Sequence, residues 1–258
     1  MYKFPSALDQ QLWDSLMVGE HWFNVRVRIN NVYYPQGDLM DMSTDVRMFC
    51  DEQPTVGACL AGELTLKMLK PSAAIPRMAK VEPFVQATDG TEVSAWMPQG
   101  VYYIDTREES KNDDGLDMLT MHCYDAMLKS EAPYPSTTHS WANVYDTDTV
   151  KEIAYFMGLQ SSASSTDGID ARTWDVMTGG YKIPLPAGYT MREVLSYIAG
   201  MYAGNWVMTL EGKLLLVTIS GIPEETSLLV NEAGNVITFG LEPGTEEEVA
   251  ISIANTTV

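Results

Sequence analysis

The run NVRVRIN, residues 24–30, is the part of this sequence that decides the fold class. Val25, Val27 and Ile29 alternate in it with polar residues, and a period of two puts them on one face of a β-strand. The run LTLKM, residues 64–68, repeats the alternation. Both runs therefore predict strands that are buried on one face and exposed on the other.

The alternation continues to about Leu128, with turn signals between the apolar runs. Asp89 and Gly90 separate two such runs, and both residue types tolerate the backbone angles of a tight hairpin turn. The predicted strands are Lys80–Ala87, Glu92–Met97, Val101–Arg107 and Leu116–Tyr124, with the polar loop Glu108–Gly115 between the last two. About six or seven short strands of this kind predict a small barrel or sandwich.

The second half of the chain has a different pattern. The Pro-, Ser- and Thr-rich stretch 131–148 predicts a domain boundary. Thr149 with Glu152, and Thr190 with Glu193, have the spacing of a helix-starting capping box, and an amphipathic run follows each pair. The predicted elements are helices ending near Gly158 and Tyr202, strands Trp206–Leu210 and Lys213–Ile219, and strand-like pieces at 228–230, 236–239 and 249–253. This half is expected to be α+β.

Composition narrows the classes of function. The 258 residues are 45% hydrophobic, which is enough to bury a core, and 35 acidic against 16 basic side chains give a formal net charge of -19. A nucleic-acid-binding face needs clustered Lys and Arg, so this balance argues against one. No run approaches the roughly 18 apolar residues of a membrane span, and the N-terminus lacks a signal-peptide core. We expect a protein without a membrane span, made in a cytoplasm.

The residues that usually carry catalysis do not form a recognisable motif. His21, His122 and His139 have no metal-binding spacing, and His122 is expected to be a partly exposed strand residue. No nucleophile elbow and no phosphate-binding loop occur. We therefore expect no catalytic residues and no cofactor.

Metal and disulfide chemistry are also unsupported. Acidic residues crowd two loops and could hold calcium, but solvated turns are the more common role of such residues. The cysteines are too few for a disulfide framework and are expected to be small buried residues. The acidic residues are Asp113, Asp114 and Asp117 in one loop and Asp146 and Asp148 in the other, and the cysteines are Cys50, Cys59 and Cys123.

Aromatic residues are the remaining candidates for recognition. In the adjacent pairs Tyr33–Tyr34 and Tyr102–Tyr103 one ring must point to each face of its strand, so only one member of each pair lies in the core. The exposed partners are candidates for a protein interface, where tyrosine is enriched. Together with the six tryptophans, the tyrosines could also form a sugar-binding platform.

Three segments in order carry a resemblance to a known family. GACLAGELTLKML at 57–69, WMPQGVYYIDT at 96–106 and LDMLTMHCYDAML at 116–128 together resemble tail proteins of siphophages and prophages of Gram-positive hosts, a family similar to the baseplate hub proteins of contractile tails. The residues that match its motifs are Trp96, Pro98, Gly100, Tyr102, Tyr103 and Ile104 in the middle segment, Tyr124, Asp125 and Met127 in the last, and Lys129 directly after it. YKIP at 181–184, TMREVLSYI at 190–198 and the segment 206–216 extend the resemblance over residues 55–220.

The resemblance implies a fold and a role. It implies a mainly β protein with a tail-tube-like β-barrel and a smaller α+β domain, arranged as a trimeric ring around a tail axis. The expected parts are an N-terminal arm at 1–20, a β-barrel hub domain at 21–136 and an α+β domain at 137–258, with an incomplete second barrel as an alternative description of the last. Relatives usually continue further, so the chain is expected to be either a shortened member or a fragment.

The resemblance also implies partners and sites. The partners are copies of the chain itself, as a homotrimer, and neighbouring tail or baseplate proteins in the virion tail. The candidate interface residues are Trp96, Pro98, Gly100, Tyr102, Tyr103, Tyr124, Asp125 and Met127. The acidic balance would suit a lumen through which DNA slides, because like charges repel the phosphates.

Two other functions stay open. A carbohydrate- or receptor-binding module at the tail tip is favoured if exposed aromatic residues cluster in a groove. A cell-wall hydrolase would need a catalytic pair that the sequence does not display.

Overall fold

A computed structural model describes residues 3–47, 55–135, 144–178, 180–183 and 188–218, and the backbone of 239–240 and 248–249. The chain divides into two units, Met1–Ile219 and Ser220–Val258. In the first unit the helices are α1 (Ala7–Val18), α2 (Asp146–Phe156), α3 (Arg172–Val176) and α4 (Met191–Met201). Its strands are β1 (Trp22–Ile29), β2 (Val32–Pro35), β3 (Leu39–Asp45), β4 (Glu63–Leu69), β5 (Lys80–Thr88), β6 (Met97–Pro98), β7 (Tyr102–Lys111), β8 (Asp117–Asp125), β9 (Gly204–Met208) and β10 (Leu214–Thr218).

One antiparallel sheet of eight strands dominates the first unit. Its strand order is β2-β1-β5-β7-β8-β4-β3, and β6 pairs with β5. The edge strands β2 and β3 follow each other in the chain through the short 3-10 turn Gln36–Asp38, yet no ladder joins them within the described residues. The expectation of a mainly β chain is confirmed, whereas a closed barrel is not.

The sheet buries one apolar face. The alternation read from residues 24–30 and 64–68 is confirmed for Val27, Ile29, Leu64, Leu66 and Met68, which are each at most 2% exposed. Val25, which the same pattern assigned to this face, is only half-buried. Tyr102, Ile104, Met121 and Cys123 from β7 and β8 complete the same cluster. Burying each large apolar side chain contributes about 1.5–3 kcal/mol, so this face is the main source of the sheet's stability.

A second core lies among the helices and the β9–β10 hairpin. Trp206 is fully buried at its centre, and the indole Nε1–H donates to the carbonyl of Leu195 on α4 at 2.8 Å. Val150, Ile153, Leu195, Ile198 and Leu216 pack in the same cluster. The second half of the unit is α+β, as its pattern predicts.

Residues from before the predicted boundary contribute to this second core. Cys59 and Met127 pack in it, and the chain at 57–60 runs beside β9. The Trp206 N–H donates to the Ala58 carbonyl at 2.8 Å, and the Leu60 N–H donates to the Trp206 carbonyl at 2.9 Å. The α+β core is thus built from two parts of the chain that are far apart in sequence.

The two capping-box predictions have opposite outcomes. At α4 the prediction is confirmed, since the Thr190 hydroxyl accepts from the Glu193 N–H and the Glu193 carboxylate accepts from the Thr190 N–H. At α2 it is wrong, because the helix begins four residues earlier, after Tyr145. Glu152 is buried there and accepts from the Tyr134 hydroxyl, so a tertiary partner replaces the local cap.

Several strand boundaries also differ from the sequence expectations. The Asp89–Gly90 turn is confirmed, but its second strand reduces to a bridge at Val93 and the short β6. Glu108–Lys111 belong to β7 instead of a loop, because they pair with β8 although they lack apolar alternation. The arm at 1–20 contains the helix α1.

The second unit is described only by the backbone of two short strands. Phe239–Gly240 (β11) pairs antiparallel with Glu248–Val249 (β12). Both lie at the ends of predicted strand-like pieces, and the remaining residues of those pieces lie outside the described part of the chain.

Candidate assembly surface

The segment 96–104 folds into a tight entry to β7. Pro98 in β6 lies opposite Phe84 of β5. Gly100 has φ +127, and a Cβ there would lie 2.5 Å from the ring of Tyr102, so a side chain at this position would be strained. Tyr102 is buried, and its hydroxyl donates to the Gln99 carbonyl at 3.1 Å. This part of the family-like segment has a structural role within the chain.

Asp125 ends β8 and ties the sheet to the second core. Its carboxylate accepts from the Gly62 N–H at 2.6 Å and from the Met127 N–H at 2.8 Å. Burial raises the pKa of Asp125 to about 6, although these two N–H groups and the charge of Arg192 act in the opposite direction. Met127 itself is fully buried, so both residues contribute to folding within the subunit.

Tyr103 and Tyr124 are neighbours on the other face of the sheet. They pair across β7 and β8 and both are half-buried. The Lys129 ammonium lies 3.6 Å from the centre of the Tyr103 ring, a cation–π contact. Tyr102 and Tyr103 thus point to opposite faces, as predicted, and Tyr103 is the one that is partly accessible.

An arginine lies among aromatic rings on this outer face. The Arg26 guanidinium is 4.1 Å from the ring centre of Trp96, 4.7 Å from that of Tyr33 and 5.3 Å from that of Phe84. These four residues are called the arginine patch below. The Arg26 Nε is buried without a hydrogen-bond partner, and no carboxylate of the described residues forms an ion pair with Arg26. The patch thus holds an uncompensated positive charge.

The neighbouring charges do not neutralise the patch. Arg28 donates twice to Glu82 at 2.7 Å, and Lys80 lies 2.8 Å from the same carboxylate. Burial favours the protonated form of Glu82, but the hydrogen bonds from Arg28 and Lys80 hold its pKa below the usual value. One carboxylate therefore faces two cations, and Arg26 adds a third positive charge.

An open cavity lies beside the arginine patch. It has a volume of about 320 Å³ and is lined by Arg26, Tyr33 and Trp96 together with the side chains of Asn24, Gln36 and Gln86. The Asn24 amide already donates to Gln86, and the Gln86 amide donates to the Ser94 carbonyl at 2.7 Å. The charged planar donors of the cavity therefore come from Arg26. The cavity is suited to a group that accepts hydrogen bonds and carries negative charge.

The β7–β8 hairpin ends in a charged segment, residues 105–117, which is called the acidic arm below. Its seven residues from Asp105 to Lys111 are all exposed. β7 pairs with β5 only at Tyr102 and Tyr103, so the outer edge of the arm has no strand partner among the described residues. Such an edge is a place where another chain can add.

Charge on the acidic arm is mostly unpaired. Glu109 pairs with Lys70 at 2.5 Å and Asp117 with Lys111 at 3.1 Å. Glu108, Asp113 and Asp114 are exposed and form no ion pair within the described residues. The arm therefore presents free carboxylates to solvent.

Two buried carboxylates hold the α+β core together. The Tyr134 hydroxyl donates to Glu152, and the Tyr202 hydroxyl donates to Asp146 at 2.5 Å. Burial raises the pKa of Tyr134, and the neighbouring Glu152 carboxylate raises it further. Asp146 was expected in a calcium-binding or solvated loop; instead it is fully buried at the first turn of α2.

The remaining sequence candidates occupy ordinary positions. His122 is an exposed residue of β8 whose Nδ1 lies 3.3 Å from the Thr65 hydroxyl, and His21 contacts the Gly19 carbonyl at 2.9 Å. Cys59 and Cys123 are buried, and burial raises the pKa of the Cys123 thiol to about 12. His139 and Cys50 lie outside the described residues. In the described part of the chain no three His, Cys, Asp or Glu residues are grouped to hold a metal.

Sequence patterns alone did not identify the arginine patch. Arg26 occupies a polar position of an alternating strand, where a solvated charge is the ordinary expectation. Its three aromatic contacts come from β2, β5 and the segment before β6, and only the sheet register brings them together. Within the described residues no helix is both long and apolar enough to cross a membrane.

Comparison with known proteins gives matches among solved structures only. No protein-family model and no curated protein matches the chain. A tail protein from Neisseria meningitidis MC58 matches with TM-score 0.45 and 13% identity, covering 75% of this chain and 51% of that one. The 43 kDa tail protein of prophage MuSo2 from Shewanella oneidensis matches with TM-score 0.49 and 13% identity, covering 82% and 58%.

A Francisella PdpA-VgrG complex matches with TM-score 0.43 and 9% identity, covering 98% of this chain and 45% of that one. This chain therefore spans about half the length of the solved structures that it matches. Likenesses of this size do not establish a common function.

Proposed function

We propose that this chain is a non-enzymatic structural component of a phage or prophage tail, and specifically of its baseplate hub, where it assembles with copies of itself and with neighbouring tail proteins. The observation that carries the proposal is the exposed acidic arm, whose outer edge has no strand partner among the described residues. A strand edge of this kind is a hazard in a monomer and a binding element in an assembly. The motif residues of the segments 96–106 and 116–128 support the same role.

The proposed arrangement is a tail-tube-like barrel in a trimeric ring around the tail axis. β2 and β3 are separated only by Gln36–Asp38, and Tyr34, Leu39 and Met42 from this region pack against the same apolar face. Pairing of these two edges would complete a barrel. In this arrangement the protein is part of the virion tail, and its acidic side chains face the passage through which DNA moves.

The interface residues proposed from the sequence separate into two groups. Trp96, Pro98, Tyr103 and Tyr124 are partly accessible and are proposed to contact neighbouring chains. The others, Gly100, Tyr102, Asp125 and Met127, are buried in this chain and are proposed to act by shaping the surface.

The first test is the solution mass measured by light scattering over a concentration series. The proposal predicts growth from 28.6 kDa towards about three times that mass. A mass of 28.6 kDa at every concentration, with no binding to neighbouring tail proteins in a pull-down, would contradict it. Bovine serum albumin in the same buffer controls for non-specific association.

A sugar-binding module at a tail tip is the second candidate. Tyr155, Tyr181, Tyr189 and Tyr197 are each at least 40% exposed, and aromatic faces are common sugar platforms. Calorimetric titration with host cell-wall fragments tests this function. Saturable binding would favour it over the hub proposal, and its absence would leave the hub as the better account.

A further inference from the structure

We propose that the acidic arm of one copy of this chain docks into the arginine patch of the next copy, with an arm carboxylate bound by the Arg26 guanidinium. This inference rests on the self-association in the proposed function and specifies the contact that produces it. The occupant of the cavity beside Arg26 is thus a second copy of the chain.

Charge complementarity is the first argument. The chain carries a formal net charge of -19, yet Arg28 and Lys80 share a single carboxylate, Glu82, on the outer face of β1 and β5. Arg26 adds a further positive charge on the same face, opposite Phe84. The acidic arm presents exposed carboxylates without ion pairs. A surface with excess positive charge and an exposed segment with excess negative charge attract each other over several ångströms.

The chemistry of the cavity is the second argument. A guanidinium binds a carboxylate with two parallel hydrogen bonds, and Arg26 has no acidic partner among the described residues. The rings of Trp96 and Tyr33 already hold the guanidinium plane in place. Arg26 therefore loses little conformational entropy when it binds a carboxylate. Tryptophan, tyrosine and arginine are also the residues that most often dominate binding energy at protein interfaces.

The geometry excludes a contact within one copy. Phe84, which pairs with Arg26, lies four residues along β5 from Lys80, and Lys80 pairs with Tyr103. From Tyr103 the arm runs eight residues in the opposite direction to Lys111. At a strand rise of about 3.3 Å per residue, the tip of the arm lies roughly 40 Å from the patch of its own chain. The contact is therefore head-to-tail between copies, the type that forms a ring when the rotation from one copy to the next closes.

The test uses two variants of the full chain that each lose one side of the contact. The patch variant is Arg26→Met, which keeps packing against the rings and removes the charge. The arm variant is Glu108→Gln, Asp113→Asn and Asp114→Asn, which keeps shape and removes three charges. The association constant of each variant alone, measured by sedimentation equilibrium, is expected to be at least tenfold lower than that of the natural chain.

Mixing the two variants gives the decisive observation. The patch variant keeps an intact arm and the arm variant keeps an intact patch, so a 1:1 mixture has one complete contact and is expected to form a dimer. A dimer in the mixture, absent from both separate samples, supports the inference. A mixture that stays monomeric overturns it.

Matched controls separate this inference from the broader proposal. Lys67→Ala removes an exposed cation of β4, and Asp41→Asn with Glu92→Gln and Asp167→Asn removes three exposed carboxylates elsewhere. Both controls are expected to associate like the natural chain. If the patch and arm variants also associate normally, the docking is overturned while self-association stands. If the natural chain stays monomeric at every concentration, the docking is overturned, and the pull-down with neighbouring tail proteins then decides the broader proposal.

Discussion

Asp125 shows how a single residue can connect the two cores and also make the fold sensitive to pH. It accepts from two backbone N–H groups, and burial still raises its pKa to about 6. A carboxyl group with a raised pKa stabilises the fold below its unfolded pKa, and that stability is lost as pH rises through the folded pKa. The sensitive interval is thus about pH 4–6.

We predict that Asp125→Asn changes the pH dependence of stability. A shift of about two pKa units corresponds to about 3 kcal/mol, and this part of the stability of the natural chain disappears between about pH 4 and pH 6. The amide of the variant can accept only one of the two backbone hydrogen bonds at any pH, and it does not titrate. The free energy of unfolding of the natural chain should therefore exceed that of the variant by more at pH 4.5 than at pH 7.5, measured by urea denaturation. An equal difference at both values would contradict the prediction.

Residue-level patterns predicted burial better than they predicted recognition. The alternation at residues 24–30 correctly assigned Val27 and Ile29 to the core, because a period of two follows directly from strand geometry. The same alternation assigned Arg26 only to the polar face. Its aromatic neighbours Tyr33 and Phe84 depend on which strands pair, and no local pattern specifies that.

At the scale of elements, local signals succeed where no tertiary contact competes with them. Both Thr149 and Thr190 have the capping-box spacing, but only Thr190 caps a helix. Glu152 lies in the interior and binds Tyr134, whereas Glu193 lies at an exposed helix end and binds the Thr190 N–H. Burial of the glutamate thus decides which of two identical signals is used.

Thr190→Ala is predicted to destabilise the protein by about 1 kcal/mol. The substitution removes the side-chain oxygen that accepts from the Glu193 N–H at the start of α4. Thermal and urea unfolding would measure the loss. Thr190→Ser keeps the hydroxyl and serves as the matched control, with a loss expected to be clearly smaller. Equal losses in the two variants would show that the methyl group, and not the cap, stabilises this site.

The acidic arm illustrates why some strands escape prediction. Asp105–Lys111 contains no apolar residue, so it has no hydrophobic alternation and was expected to be mostly loop. It is nevertheless a strand, because backbone pairing with β8 satisfies its hydrogen bonds. Strands held by backbone pairing alone leave no periodic signal in the sequence.

At the scale of the whole molecule, the net charge of -19 has a measurable consequence. Like charges repel one another in the compact state, and salt screens that repulsion. We predict that raising NaCl from 10 to 150 mM, at dilutions where the mass is 28.6 kDa, raises the unfolding temperature by roughly 2–4 °C. The triple control Asp41→Asn, Glu92→Gln and Asp167→Asn should respond less. An unchanged unfolding temperature would contradict the prediction.

The architecture was partly predictable from the sequence. The β-rich first half, the α+β second half and the hairpin around Glu211–Gly212 follow from periodicity and turn residues. The sharing of a core between residues 57–60 and β9 does not, because these segments are about 150 residues apart and no short-range rule relates them. Strand order and the arginine patch are long-range properties of the same kind.

The core that residues 57–60 share with β9 also sets an order of folding events during synthesis. The eight strands of the large sheet leave the ribosome before residue 126, but Cys59 and Met127 are covered only once Trp206 has emerged. For that interval the nascent chain carries an unfinished apolar surface, and such surfaces attract chaperones or other nascent chains. The contact between Ala58 and Trp206 therefore makes completion of the second core a late event in the synthesis of the chain.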